Sequence, residues 1–548
     1  MKHTLIAVLI VLLMFSIPLF AQKRGGTIDG PVLTIAFIEN FNPYTQNVNR
    51  SPAPGFIYEP LVVYNFRQNR IEYRLAEHFE YSDDLLSITY YLREGLRWSD
   101  GTPLTADDVI FTFEMAKKFP AVDVAGLFVG ETPKIKWVEK VDHRTVRFHL
   151  TQVNTTVEWS IPSQYIVPKH IWQNVENPEL FTNKHPVGSG PFTEVKRFSP
   201  YQITVCRNPY YWEEGKPYID CVRLRQYQSN AQVQAALIRG EIDWGSNFIP
   251  DIEKTFVAKD PEHNRYWYPA GSPIFLNLNL DKPPLDDLNF RQAFSLALDR
   301  ESVVELATYG YASLNPHITG IGDFFAAWYD DDVNQKYDWL NEYNPEKAKQ
   351  ILDDAGYIDS DGDGIRENKD GSPIEFSIMV VSGWTDWIQS VQMITEDLKY
   401  VGVNAKTKTV EWGQYVSNWN NREFEVGMLY GMTGVTPYRF YAPLLHSQNI
   451  DKAGVFEAKH GWSAAAVDSL LDRYVTVRDE AEQRRIISQL QEVVAQNLMI
   501  IPVFSNPTWY QYTTKRFVGW PTEDNPYINP NFYDAGERVI LINHLHLR

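Results

Sequence analysis

Cysteine is scarce: the 548 residues include two, Cys206 and Cys221, and neither lies near the N-terminus. A lipid-anchored N-terminus is therefore not expected. Basic residues are outnumbered, 51 against 69 acidic, for a formal net charge of −18. A chain of that sign repels nucleic acid and anionic membrane surfaces. Beyond the N-terminus no apolar run approaches the roughly 20 residues of a membrane span. There is no internal repeat or low-complexity tract, and neither a P-loop nor a dinucleotide fingerprint. Catalytic signatures are poor. Gly188-Ser189-Gly190 lacks the spacing of a nucleophile elbow, and Pro191 makes it a turn. His544-Leu545-His546 is a lone pair of strand-spaced histidines. Carboxylate pairs abound in so acidic a chain, so none singles out a glycosidase.

What is present begins with a signal peptide layout over 1–21. Lys2 and His3 precede an apolar run that ends in Pro18 and Leu19-Phe20-Ala21, with cleavage expected after Ala21. The mature chain is expected outside the cytoplasm, periplasmic or extracellular. Loss of Lys2, the segment's only formal charge, would move the net charge from −18 to −19.

A chain of this length exceeds one ordinary core, so two or three domains are expected. Aromatic residues make up 14%, with 16 Trp and 31 Tyr, a supply that suits a concave binding surface as well as packing. Strand-like runs at 32–37, 88–92, 146–150 and 275–280 alternate with amphipathic helices at 231–239, 290–298, 345–355, 388–401 and 481–497. That mixture is α/β or α+β. Cys206 and Cys221 sit in two strand-like runs flanking Pro209, Gly215 and Pro217. Both a cross-strand disulfide and two buried free thiols fit this pattern.

Three constellations carry chemistry. In Asp359-Ser360-Asp361-Gly362-Asp363-Gly364, carboxylates at positions 1, 3 and 5 with Gly at 6 match a Ca²⁺-binding loop. Ile365 would offer its carbonyl at position 7, Glu367 stands at 9 and Asp370 at 12, where a longer Glu is usual. A structural Ca²⁺ of modest affinity is expected; the alternative is a solvated acidic turn. Gly383-Trp384-Thr385-Asp386-Trp387 opens a helix and offers two indoles for stacking on pyranose faces and a carboxylate for hydroxyl groups. The alternative makes Asp386 a helix cap and the indoles core. Thirdly, no Asp or Glu lies between Glu425 and Asp451. Asn247, Asn277, Asn279, Trp412, Tyr415, Trp419 and Tyr430 are further candidate cleft residues.

Residues 92–114, LREGLRWSDGTPLTADDVIFTFE, read as strand, turn and capped helix, with Thr105 at the N-cap and Asp107 and Asp108 in the first turn. As a string the segment resembles the signature of the extracellular solute-binding proteins of family 5. Phe41-Asn42-Pro43-Tyr44, Tyr58-Glu59-Pro60-Leu61, Gly188-Ser189-Gly190-Pro191-Phe192, Arg207-Asn208-Pro209-Tyr210-Tyr211-Trp212, LIRGEIDW (237–244), FRQAFSLALDR (290–300), KAKQILDDAGY (347–357) and Ile500-Ile501-Pro502-Val503 extend the resemblance over nearly the whole mature chain. It implies an α/β, two-lobe periplasmic binding protein fold (type II, cluster C) with an extra subdomain, closing on ligand by hinge motion. The implied partition is lobe I from 22–56, 187–280 and 505–548, the subdomain at 57–186 and lobe II at 281–504. It also implies a monomeric receptor that works with the permease subunits of an ABC importer.

Peptide-binding relatives carry an acid for the ligand ammonium in the region that here reads Met432-Thr433-Gly434-Val435-Thr436-Pro437. Its absence points to a neutral oligosaccharide, such as a β-linked di- or trisaccharide. An oligopeptide receptor is the first alternative and a secreted glycoside hydrolase the second.

Overall fold

The computed structural model describes residues 22–47, 50–129 and 133–548; the expected signal segment lies outside the described residues. Two lobes and a subdomain are built on three main sheets. In the first lobe, Thr27–Leu33 pairs in parallel with Cys221–Tyr227, which runs antiparallel to Gln202–Arg207, followed by Phe192–Ser199. Cys206 and Cys221 are directly opposed there and are joined by a disulfide, which resolves the alternative left open by the sequence. The first strand starts five residues earlier than the apolar run at 32–37 suggests. Gly30 and Pro31 lie inside it, and Pro is tolerated because this strand forms the sheet's edge.

The subdomain is a four-stranded antiparallel sheet, ordered Ala76–Tyr81, Ser87–Leu92, Thr145–Leu150 and Ile135–Lys140, packed by the helix Ala106–Lys118. Thr105 closes a capping box at that helix: its side chain accepts from Asp107 N at 3.3 Å while Asp108 accepts from Thr105 N at 2.9 Å. Its apolar interior is continuous with that of the first lobe, from Ile28 through Trp172 to Leu545.

The second lobe carries a five-stranded mixed sheet in the order Asn404–Val410, Glu375–Val381, Val426–Tyr430, Ala270–Leu278, Ile500–Pro507. Both its faces are covered: Ile378 and Val380 enter one apolar cluster, Met379 and Val381 the other. Such two-sided burial produces the unbroken run Ile-Met-Val-Val rather than a polar alternation. Ala270–Leu278, allotted to the first lobe by the expected partition, is hydrogen-bonded into this sheet. It and its antiparallel partner Ile500–Pro507 connect the lobes. At Gly271 the two come so close that a Cβ would lie 2.7–2.8 Å from the backbone of 506–508, so no larger residue fits.

The family strings are mostly joints. Glu59 accepts from Arg74 Nε (2.7 Å), Tyr211 Oη (3.0 Å) and Trp212 Nε1 (2.6 Å), so Tyr58-Glu59-Pro60-Leu61 and the Arg207–Trp212 string lock together. Ser189 accepts the Glu59 N–H at 3.1 Å, and Cβ atoms at Gly188 or Gly190 would collide with the carbonyls of Ile57 and Phe56. Asn42 clamps the carbonyls of Pro178 and Phe181 at 2.7 and 2.9 Å. Arg300 holds Pro502 O at 2.8 Å.

Candidate functional site

Between the lobes lies a cleft of about 1010 Å³. Its floor includes the connecting strands, at Gly271, Ser272, Asn506 and Pro507. The first lobe contributes Asn230, Asn247 and Phe248; the second contributes Val381, Trp384, Asp386, Trp387, Glu411, Trp412, Tyr430 and Thr433.

An aromatic ladder forms one wall. Trp384 precedes the helix Thr385–Tyr400, and its indole meets Trp387 edge-on at 4.9 Å. Its other neighbour is Trp412, at 5.8 Å and 25° between planes, and Trp412 in turn stacks on Tyr415 at 5.7 Å and 20°. Trp412 is in the first turn of Trp412–Asn421, a helix capped by Glu411, whose carboxylate accepts from Gly413 N at 2.8 Å. Trp384 and Trp412 are half-buried, whereas Trp387 is buried behind them.

Asp386 is 3% exposed. Asn230 of the first lobe donates to its Oδ1 at 3.2 Å, and burial pushes its carboxyl up to about 7. It is not the helix cap, a position held by Trp384 without a side-chain bond. Asn247 donates to Phe248 O at 3.0 Å and to Asn230 O at 3.4 Å.

Four expected residues stand outside the cleft lining. Tyr415 is buried, and its hydroxyl donates to Met428 O at 2.5 Å, so it supports Trp412 from behind. Asn277 is fully buried and donates to Glu457 O at 2.7 Å, because its strand is interior to the sheet there. Asn279 and Trp419 are likewise buried; the former is tied to Phe424 O at 2.9 Å.

The sequence reading missed several lining residues, among them Glu411, Trp509, Asn529, Asp534 and Arg538. Helix-start signals at Glu411 and Asp534 were available, since Asp534 also caps a helix, accepting from Glu537 N at 2.9 Å. In the acid-free stretch, Tyr430 and Thr433 line the cleft, and neither carries a carboxylate.

Away from the cleft, carboxylate oxygens of Asp359, Asp361 and Asp363 lie within 4.8 Å of one another. The two later positions are directed elsewhere. Glu367 accepts from Ser360 N and Oγ at 2.8 and 3.0 Å. Asp370 turns to Ser372 N and Oγ at 3.0 and 2.6 Å. After the loop the chain makes a second turn and a Glu367–Pro373 bridge into the strand Glu375–Val381, where a helix would carry a twelfth ligand.

The model of the bacterial extracellular solute-binding proteins, family 5 (middle), matches residues 70–452. The chain belongs to this family. The oligopeptide-binding protein AppA of Bacillus subtilis is 28% identical over 467 residues, covering 81% of this chain and 82% of its own length. Heme-binding protein A of Haemophilus influenzae is 27% identical over 477 residues, covering 82% and 81%. A solved structure of a periplasmic oligopeptide-binding protein of an oligopeptide ABC transporter from Thermotoga maritima, with mannohexaose bound, matches with a TM-score of 0.87. Its identity is 28%, over 96% of this chain and 100% of that one. Family 5 membership makes the chain a solute-binding receptor of an ABC importer, with the two-lobe mixed α/β fold and no enzymatic role. The glycoside hydrolase alternative is thereby set aside. Among the described residues no helix is long and apolar enough to cross a membrane, and family members are periplasmic or extracellular binding proteins.

Proposed function

We propose that this receptor captures a neutral oligosaccharide and hands it to the permease. The half-buried indoles of Trp384 and Trp412 carry the reading, because the part of their surface that lines the cleft can pack against pyranose C–H groups. The Asn247 Oδ1, which has no hydrogen-bond partner among the described residues, and backbone groups supply hydroxyl partners. A cleft at the upper end of the usual ligand-pocket range, about 300–1,000 Å³, suits several sugar rings. The mannohexaose held by the Thermotoga protein supports the same class. An α-ammonium would need a free carboxylate, and none stands between Glu425 and Asp451.

The second reading, an oligopeptide, is favoured by Glu411 and Asp534 on the cleft wall and by the relatives named for peptides. A thermal-shift panel of manno-, gluco- and xylo-oligosaccharides and peptides separates the two. Ligand at a hundred times its dissociation constant adds about 2.7 kcal/mol, so the true class raises the melting temperature and the other leaves it unmoved.

Export by a cleaved signal at 1–21 and Ca²⁺ at Asp359, Asp361 and Asp363 belong to the same proposal. The three converging carboxylates support the metal, with fewer protein ligands than the loop pattern implies.

A further inference from the structure

The lobes meet at a junction beside the aromatic ladder. Asn230, opening the first-lobe helix Asn230–Ile238, donates its backbone N–H to Gly383 O at 3.1 Å. Its side-chain amide reaches Asp386 Oδ1 at 3.2 Å and Thr385 Oγ1 at 3.4 Å. Gly383 has φ +86°, and a Cβ there would collide with Gln228 O, so backbone lies on backbone across the lobe boundary. Asn247 braces the far side by donating to Asn230 O.

We propose that this junction is a proton-coupled latch, in which the lobes close over ligand with Asp386 as its neutral acid. With the lobes apart, Asp386 stands in a water-filled cleft, and its carboxyl takes an ordinary carboxylate value near 3.9. On closure Asn230 covers it, water leaves, and ionisation is opposed by burial. Nothing charged compensates: the groups facing the carboxyl are the Asn230 amide and the backbone N–H groups of Asp386 and Trp387, while Ser390 Oγ donates to the Asp386 backbone carbonyl instead. Glu411 and Asp534, the other carboxylates of the cleft wall, are engaged as caps of their own helices. The sign follows from the raised value in the closed form. Closure takes up a proton, so it is strongest in acid and is lost as pH rises through about 7. This holds whatever the ligand.

Dyes at Tyr201→Cys, in an exposed first-lobe turn, and Tyr400→Cys, at an exposed second-lobe helix end, report lobe distance by single-molecule energy transfer. Without ligand, the closing constant of otherwise wild-type protein should rise about tenfold or more from pH 8 to pH 5.5. Asp386→Asn, which keeps an acceptor but cannot ionise, should close equally at both values. Asn230→Ala should close less at pH 5.5. A wild-type closing constant that is flat with pH, or an Asp386→Asn variant that keeps the wild-type response, overturns the latch. The same measurement with the oligosaccharide panel keeps the two questions apart: a pH response with no closing effect of any of the sugars overturns the oligosaccharide reading and leaves the latch standing.

Discussion

Trp384 and Trp412 face each other at 5.8 Å with their indole planes 25° apart, although they stand 28 positions apart in the chain. One precedes a helix and the other opens the next, so two helix starts of the second lobe converge on a single wall of the cleft. The two rings are half-buried, and what remains of their surface is turned to the cavity.

Truncation should therefore separate binding from stability. Trp384→Ala or Trp412→Ala is expected to weaken mannohexaose binding more than about tenfold, from the roughly 1.5–3 kcal/mol of a large apolar side chain. Trp387→Ala removes a ring buried behind the wall and should instead cost about 3–5 kcal/mol of stability. Calorimetry and thermal melting on the three variants test this, and a stable Trp387→Ala protein with lost binding would reverse the roles.

Glu59 and Arg74 form a buried pair, Nη2 to Oε1 at 2.5 Å, that ties the subdomain to Tyr211 and Trp212. Breaking a buried pair by removing one partner typically costs about 3–5 kcal/mol. Glu59→Ala and Arg74→Ala should each lower the unfolding midpoint strongly. A Glu59→Leu/Arg74→Met double variant should lose less than either single one. Additive losses would show that the two groups act independently.

Chelation tests the acidic loop. With Ca²⁺ at Asp359, Asp361 and Asp363, a chelator should lower the melting temperature without changing ligand stoichiometry, and Asp361→Ala should melt low and ignore chelator. Identical melting of the wild-type protein with and without chelator contradicts the metal.

Local chemistry made much of this fold legible. The 105–108 capping box was readable because its two bonds are made within four residues. The helices at 345–355 and 388–401 appear within three residues of the expected limits, because their apolar spacing reflects one packed face. Sites assembled from distant chain were harder to read. The strand at 27–33 was masked by Gly30 and Pro31, whose tolerance depends on an edge position fixed by residues 221–227. Asn277 and Tyr415 carry the right chemistry for a cleft, yet their partners, Glu457 O and Met428 O, hold them inside the lobe. Asp386 was singled out as a hydroxyl acceptor, and its contact with Asn230, 156 positions away, could not be seen from either segment alone.

Ligand class is decided most directly by calorimetric titration of the purified receptor with mannohexaose and, in parallel, with a nonapeptide. Saturable 1:1 binding of the sugar at about 1 μM or tighter, near −8 kcal/mol, with no heat from the peptide, is the predicted result. Micromolar binding of the peptide, with none of mannohexaose or of any other oligosaccharide in the panel, would contradict it.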